Sequence, residues 1–292
     1  MNGPVNSSIK THLPTRLLLR PLLEPAVRLY RRFRPSATHL DANSYDRLFD
    51  NIVGGTIVVK VPEFGIFEMN CRSHILRRIL LTREYEPHVA DALRKYTDPN
   101  KDALDIGANV GLFTIFMASL LSETGRVLAI EPTPGALGHL KKNIEANNCT
   151  AKVTLFEGAA VESSGEFVLN VVDDLEEYSS RLKIVMPGLN NRAQHQIRVS
   201  GETIDSLVEY QKLKPGIMKI DTEGAELQVL RGAKNTVLSH RPVILCETWP
   251  EEMLSEAGGS PGGVVEFLAE CQYSICECGP HEIVAIPTER VK

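Results

Sequence analysis

Carboxylates set beside small, turn-forming residues are where this sequence holds its chemistry. The first such stretch is Asp105-Ile-Gly-Ala-Asn-Val-Gly111. Gly107, Ala108 and Gly111 leave the backbone free to approach a ligand closely. Asp105, at the end of a predicted strand, can accept a hydrogen bond from a ligand's ammonium, directly or through water, and Asn109 offers both donor and acceptor. That set suits a zwitterionic amino-acid moiety. A dinucleotide fingerprint starting at Gly107 would need glycines at positions 109 and 112, where the chain has Asn109 and Leu112, so a nicotinamide dinucleotide fits poorly. Glu131 closes the next predicted strand, about twenty residues beyond Gly111, where an acid accepts both ribose hydroxyls in nucleotide folds. Gly158 and Ala159 follow the third strand. They either admit the edge of an adenine ring or form a plain strand exit.

The second stretch is Lys219-Ile-Asp-Thr-Glu-Gly-Ala-Glu226. Asp221 closes a predicted strand and Glu223 lies on the turn after it, so both carboxylates can face a crevice at the carboxyl ends of a parallel sheet. A carboxylate placed there takes the proton of an acceptor hydroxyl as a new bond forms at its oxygen. Asp221 and Glu223 are therefore the candidate catalytic residues; the alternative for Asp221 is to hold a backbone amide or the cofactor. Lys219 shares a strand face with Asp221 and is placed for a salt bridge. Glu226 opens a helix and reads as a carboxylate that complements the helix start. A rival arrangement joins Asp221 and Glu247, at neighbouring strand ends, as oxygen ligands of Mg2+. Thr248 and Trp249 supply no third carboxylate, and no metal is expected. Ser180 and His195, on a polar excursion over 167–199, are candidate acceptor contacts, against the alternative of an exposed loop.

These residues need a scaffold, and the apolar pattern supplies one. From Asp102 onward, strands at 103–106, 127–130, 153–156, 217–220 and 243–246 alternate with helices at 112–121, 135–147, 224–238 and 261–271. Such alternation requires right-handed crossovers and a parallel sheet. Closing strands at 273–276 and 283–286, joined by a short turn at Gly279-Pro280, predict an antiparallel last strand. Ahead of this alternating domain, 101–292, residues 41–100 read as an N-terminal cap with a hairpin (56–62, 65–69) and a helix (85–96). Residues 1–40 form a basic arm, with Arg16, Arg20, Arg28, Arg31, Arg32 and Arg34 against the single acid Glu24.

The chain has 292 residues and a net charge of -5, a balance that argues against a general nucleic-acid binder and for a small-molecule or glycan partner. Six cysteines without a secretory signal point to a reducing, cytoplasmic setting. The apolar run Leu112 to Leu121 is too short to span a bilayer. Residues 16–34 offer weak contact with an anionic membrane as an alternative peripheral location, although Pro21 and Pro25 interrupt any continuous helix.

Together, Asp105-Ile-Gly-Ala-Asn-Val-Gly-Leu-Phe-Thr114 and Lys219–Glu226 resemble the FkbM family of methyltransferases. Residues from about 102 to 247 follow the family pattern, including Glu131-Pro132, Gly158-Ala159, Ser179-Ser180 and Thr203-Ile-Asp205-Ser-Leu207. The resemblance implies the class I S-adenosylmethionine (SAM)-dependent methyltransferase fold, an α/β, Rossmann-like, three-layer architecture with a seven-stranded, mostly parallel sheet and an antiparallel last strand. It implies SAM as cofactor, with Pro132 beside Glu131 in its site, and hydroxyls of sugars, polyketides or related small molecules as common acceptors. The D/N-P-P-Y tetrad that grips a planar amino group is absent from every predicted strand end, which disfavours N-methylation of a protein or amine. A noncatalytic module of the same fold is the alternative outside enzymology.

Overall fold

The computed structural model describes residues 55–172, 179–180, 194–248 and 261–291. Its centre is a sheet of seven strands: β3 (Asp102–Ile106), β4 (Val127–Ile130), β5 (Val153–Phe156), β10 (Pro215–Ile220), β11 (Val243–Glu247), β12 (Tyr273–Glu277) and β13 (Glu282–Pro287). The spatial order is β12-β13-β11-β10-β3-β4-β5. Every pairing from β11 to β5 is parallel, and β13 runs antiparallel to both β11 and β12. The expected class of sheet and its reversed last strand are therefore present. The chain leaves β3 first toward β4 and β5, and later returns on the other side as β10. That reversal makes the gap between the carboxyl ends of β3 and β10 the topological switch point, where open α/β sheets bind ligands.

Strands buried on both faces read as continuous apolar runs, and the two faces explain the layers. Ala103, Ile217, Val243 and Leu245 lie on one side, packed with helices α1 (His74–Thr82), α2 (Pro87–Tyr96) and α3 (Leu112–Leu120). Leu104, Ile106, Met218, Ile220 and Ile244 alternate to the other side. There they pack with α5 (Ile204–Gln211), α6 (Glu226–Gly232), α7 (Lys234–His240) and α8 (Pro261–Glu270). Helix α4 (Pro134–Ala146) covers Ala129 through Leu137, Leu140 and Ile144.

The expected hairpin is formed by β1 (Thr56–Val61) and β2 (Gly65–Asn70). It is fastened to the central sheet by two asparagines four residues apart, Asn143 on α4 and Asn147 at its C-cap, which imitate a neighbouring strand. Asn147 accepts from Ile66 N at 2.9 Å and donates to Ile66 O at 2.7 Å. Asn143 accepts from Glu68 N at 2.7 Å and donates to Glu68 O at 3.1 Å and Val110 O at 2.8 Å. The hairpin is thereby tied to the loop after β3.

Five features differ from the sequence expectation. Helix α2 begins at Pro87, whose fixed φ and missing N–H suit the first helical turn, two residues later than expected. Helices α1 and α5 stand where no helix was expected, each opened by a side-chain cap, Ser73 and Thr203 respectively. The stretch 224–238 is two helices, broken at Ala233. The irregular excursion contains β9 (Gln194–Glu202), which pairs antiparallel with β7 (Gly165–Val172) in a second sheet with β6 (Ala159–Ala160) and β8 (Ser179–Ser180). Among the described residues no helix is long and apolar enough to cross a membrane. The basic segment 16–34 lies outside the described residues.

Candidate active site

The loop after β3 is shaped by close packing as much as by a ligand. Gly107 has φ +81°, and a Cβ there would stand 1.7 Å from the carbonyl oxygen of Asp221 at the end of β10. Gly107 N and Ala108 N each donate to Ile130 O at 3.0 Å, drawing the loop over β4. Gly111 has φ +90°, and its missing Cβ leaves room for Leu140. Asn109 adopts the left-handed region at φ 51°, one of the few side chains that tolerate it. Its backbone N–H donates to Glu131 Oε2 at 2.9 Å.

Glu131 is buried, and its carboxylate is held in place. Oε1 accepts from Thr133 N at 2.9 Å and Thr133 Oγ1 at 2.6 Å. Burial pushes its carboxyl above the ordinary range, opposed by the bonds from Thr133 and Asn109. Three of about four acceptor positions on a carboxylate are filled within the chain. Among the described residues Oε2 has one bond and Oε1 two, so Oε2 is the oxygen with more room for a ligand hydroxyl.

The carboxyl ends of β3, β4 and β10 open into a cavity of about 1080 Å³ continuous with solvent, with Asn109, Glu131 and Asp221 on its wall. On the β10 side, Lys219 Nζ donates to Asp221 Oδ2 at 2.9 Å and lies 4.0 Å from Asp105 Oδ1. Burial works against the Lys219 charge, yet Asp221, Asp105 and Glu86 together hold its pKa above the ordinary range. Its ammonium also sits 5.1 Å from the centre of the Phe113 ring. Glu223 lines the cavity with its backbone at φ 53°. Glu226 Oε1 accepts from Thr222 N, Thr222 Oγ1 and Gly224 N at 3.0–3.1 Å, so this carboxylate fixes the turn that carries Glu223. An ammonium bound to Asp221 repels a divalent cation from the same oxygen, and among the described residues no three potential ligands cluster for a metal.

Residues 105–275 match the Methyltransferase FkbM domain family. The chain belongs to this family. It is 27% identical over 177 residues to the methyltransferase sdnD of Sordaria araneosa, a match covering 51% of this chain and 67% of that protein. It is likewise 27% identical over 177 residues to the hexuronic acid methyltransferase AglP of Haloferax volcanii, covering 58% of this chain and 62% of that one. The chain thus spans about two thirds, or somewhat less, of the length of these relatives. The solved structure of a methyltransferase FkbM from Methylobacillus flagellatus aligns with 72% of this chain and 52% of its own, at 16% identity and a TM-score of 0.44.

Family membership brings the class I fold and SAM as cofactor, and the site of this FkbM chain fits that group. Asn109 Oδ1 is buried without a hydrogen-bond partner among the described residues, although its residue lines the cavity. A ligand donor satisfies it at the atom where an unmet partner is costly. Pro132 and Ala159 stand on the same wall. Asp105 does not: it is fully buried, its Oδ2 accepts from Thr114 Oγ1 at 2.5 Å, and burial raises its carboxyl against the opposing pull of Lys219. Its Oδ1 has no hydrogen-bond partner among the described residues and lies 4.0 Å from Lys219 Nζ, behind the wall rather than on it. Gly111 and Gly158 are also off the wall. Gly158 is small because a Cβ would meet Ser200 O at 2.4 Å and the Phe156 ring at 2.8 Å.

Of the two expected acceptor contacts of this FkbM chain, His195 is not on the cavity wall. His195 is exposed on β9, opposite Val171. Ser180 pairs with Asn170 on β8, and its side chain lies outside the described residues. The cavity is also lined by His74 and Ile75 of α1, by Tyr85, and by Leu169 of β7 within the excursion. Burial, then Arg78 and Arg77, lower the His74 pKa to about 4, so its imidazole is neutral near pH 7. Only the position of His74, Ile75 and Tyr85 beside a capped helix start at Ser73 and the Tyr85-Glu86-Pro87 turn was open to sequence reading; their approach to β10 is tertiary.

Proposed function

We propose that this FkbM-family chain transfers the methyl group of SAM to a hydroxyl of a sugar, glycan, polyketide or related small molecule. When bound, SAM supplies the electrophilic methyl and its own thioether leaving group. The Gly107–Gly111 loop, Asn109, Glu131, Pro132 and Ala159 hold it in this reading, with Asp105 supporting the loop through Thr114 and Lys219. The acceptor enters beside the cap, and residues 41–100 act as its wall.

The observation that carries the reading is the Lys219–Asp221 pair on the cavity wall. With Oδ2 bound to the ammonium, Oδ1 of Asp221 is the oxygen offered to an acceptor hydroxyl. It takes the hydroxyl's proton as the oxygen acquires the methyl group, and it returns that proton to solvent after the product leaves. Glu223, on the turn braced by Glu226, is the second carboxylate at this wall and orients the acceptor or shares the proton. The hexuronic acid methyltransferase among the relatives supports a sugar-class acceptor.

The test is transfer of an isotopically labelled methyl group from SAM into an extract of the cells that make the protein, followed by identification of the labelled product. The expected product is a methyl ether, and Asp221→Asn lowers its rate by about 100-fold or more while SAM binding persists. Label on nitrogen, no labelled product, or full turnover by both Asp221→Asn and Glu223→Gln would sink this assignment.

A further inference from the structure

A second, smaller recess, open to solvent, lies at the carboxyl ends of β10 and β11 and shares Lys219 and Asp221 with the first. Its remaining wall includes Glu86 and Val89 from the cap, Glu247 from β11 and Glu282 from β13. Glu86 is the notable member. Its backbone is left-handed, at φ 41° and ψ 61°, although it is neither glycine nor asparagine and directly precedes Pro87. Both circumstances disfavour that conformation, and such outliers persist only where the surrounding structure holds them. Its side chain is paired with Arg78 of α1, whose guanidinium donates to Glu86 Oε1 at 3.2 Å. Residue 86 also lies outside the stretch 105–275 that matches the family.

We propose that Glu86 is a positioning residue for methyl transfer, which competes with Asp221 for the Lys219 ammonium and so sets how firmly that ammonium holds the acceptor-facing carboxylate. The proposal rests on the methyl-transfer reading given above. When Glu86 is protonated, Lys219 is bound to Asp221 without competition, and the Asp221 oxygen is the poorer proton acceptor. When Glu86 is ionised, it draws on Lys219 and repels Asp221, and the Asp221 oxygen takes a hydroxyl proton more readily. The proton itself passes from the acceptor hydroxyl to Asp221 and then to solvent; Glu86 takes no part in bond making.

Every charged group around Glu86 bears on its titration. Burial and Asp221 raise its pKa, Lys219 and Arg78 lower it, Glu282 raises it, and the outcome is about 7. His88 on α2 stands 3.0 Å from Glu282, and Glu247 lines the same cavity. Burial keeps the Cys246 thiol on the same wall protonated. Between its ordinary value of 4.5 and about 7, folded Glu86 retains a proton that the unfolded chain has shed. Folding stability from this group therefore falls as pH rises through that window.

Two measurements on the full chain test the proposal, with Glu86→Gln as an isosteric mimic of the protonated form. The first is the pH profile of labelled-methyl incorporation from SAM, using the cell extract as acceptor source. The wild type is expected to gain activity as pH rises through about 7. Glu86→Gln should lose that rise, with its apparent KM for SAM unchanged. The second needs no acceptor: the thermal midpoint should fall more steeply with pH between 4.5 and about 7 in the wild type than in Glu86→Gln. A rise in activity retained by the variant overturns the proposal, as does an identical pH dependence of the two midpoints. If the wild type labels no product but the midpoints differ as expected, the methyl-transfer reading fails and the role of Glu86 in transfer fails with it, while its ionisation in the fold stands.

Discussion

At Gly107 the chain has no room for a second carbon. A Cβ would collide with the Asp221 carbonyl on the strand that bears the proposed base, and the backbone is at φ +81° as well. Gly107→Ala must therefore push β10 away from β3 or distort the loop. It is expected to cost about 1–3 kcal/mol in backbone strain alone, before the clash is counted. The predicted outcome is a clearly lowered thermal midpoint together with weakened SAM binding; a variant with wild-type values of both would contradict the close approach described here. Asp105 has a related lesson. Its type and position were legible as a cofactor carboxylate, but its burial and its bond to Thr114 depend on a helix packed nine residues later, which only folding reveals.

At the scale of elements, Asn143 and Asn147 join the hairpin to the central sheet, but they differ in burial. Asn143 is fully buried and serves Glu68 N, Glu68 O and Val110 O. Asn143→Leu leaves these backbone groups without partners, at an expected cost of about 2–4 kcal/mol. The bonds of Asn147 to Ile66 are exposed, and Asn147→Ala is expected to cost about 1 kcal/mol or less. Denaturant unfolding of both variants checks the ranking, and equal costs would contradict it. The core strands were readable from sequence because burial on both faces leaves apolar runs such as Val127-Leu-Ala-Ile130. β9 was not, since it opens with the polar run Gln194-His-Gln196 and only Ile197 and Val199 in it are apolar. The break at Ala233 was hidden for another reason: Gly232 packs against Val161 O, a contact from a distant strand exit.

For the molecule as a whole, the switch between β3 and β10 brings together two stretches more than a hundred residues apart. The loop Asp105–Gly111 and the Lys219–Glu226 motif were each legible because every residue needed for turn and charge is local. The acceptor side was not, since His74, Tyr85 and Glu86 meet β10 only through packing of the cap on the sheet. The account stands on one claim above the others, that the cavity at this switch holds SAM by way of Glu131 and the loop after β3. Calorimetric titration of the full chain with SAM tests it most directly. The account predicts a single site whose affinity falls by about 10- to 100-fold in Glu131→Ala, the loss of one hydrogen bond to a charged group, with the folded state retained. Absence of SAM binding by the wild type, or unchanged affinity in Glu131→Ala, would contradict it.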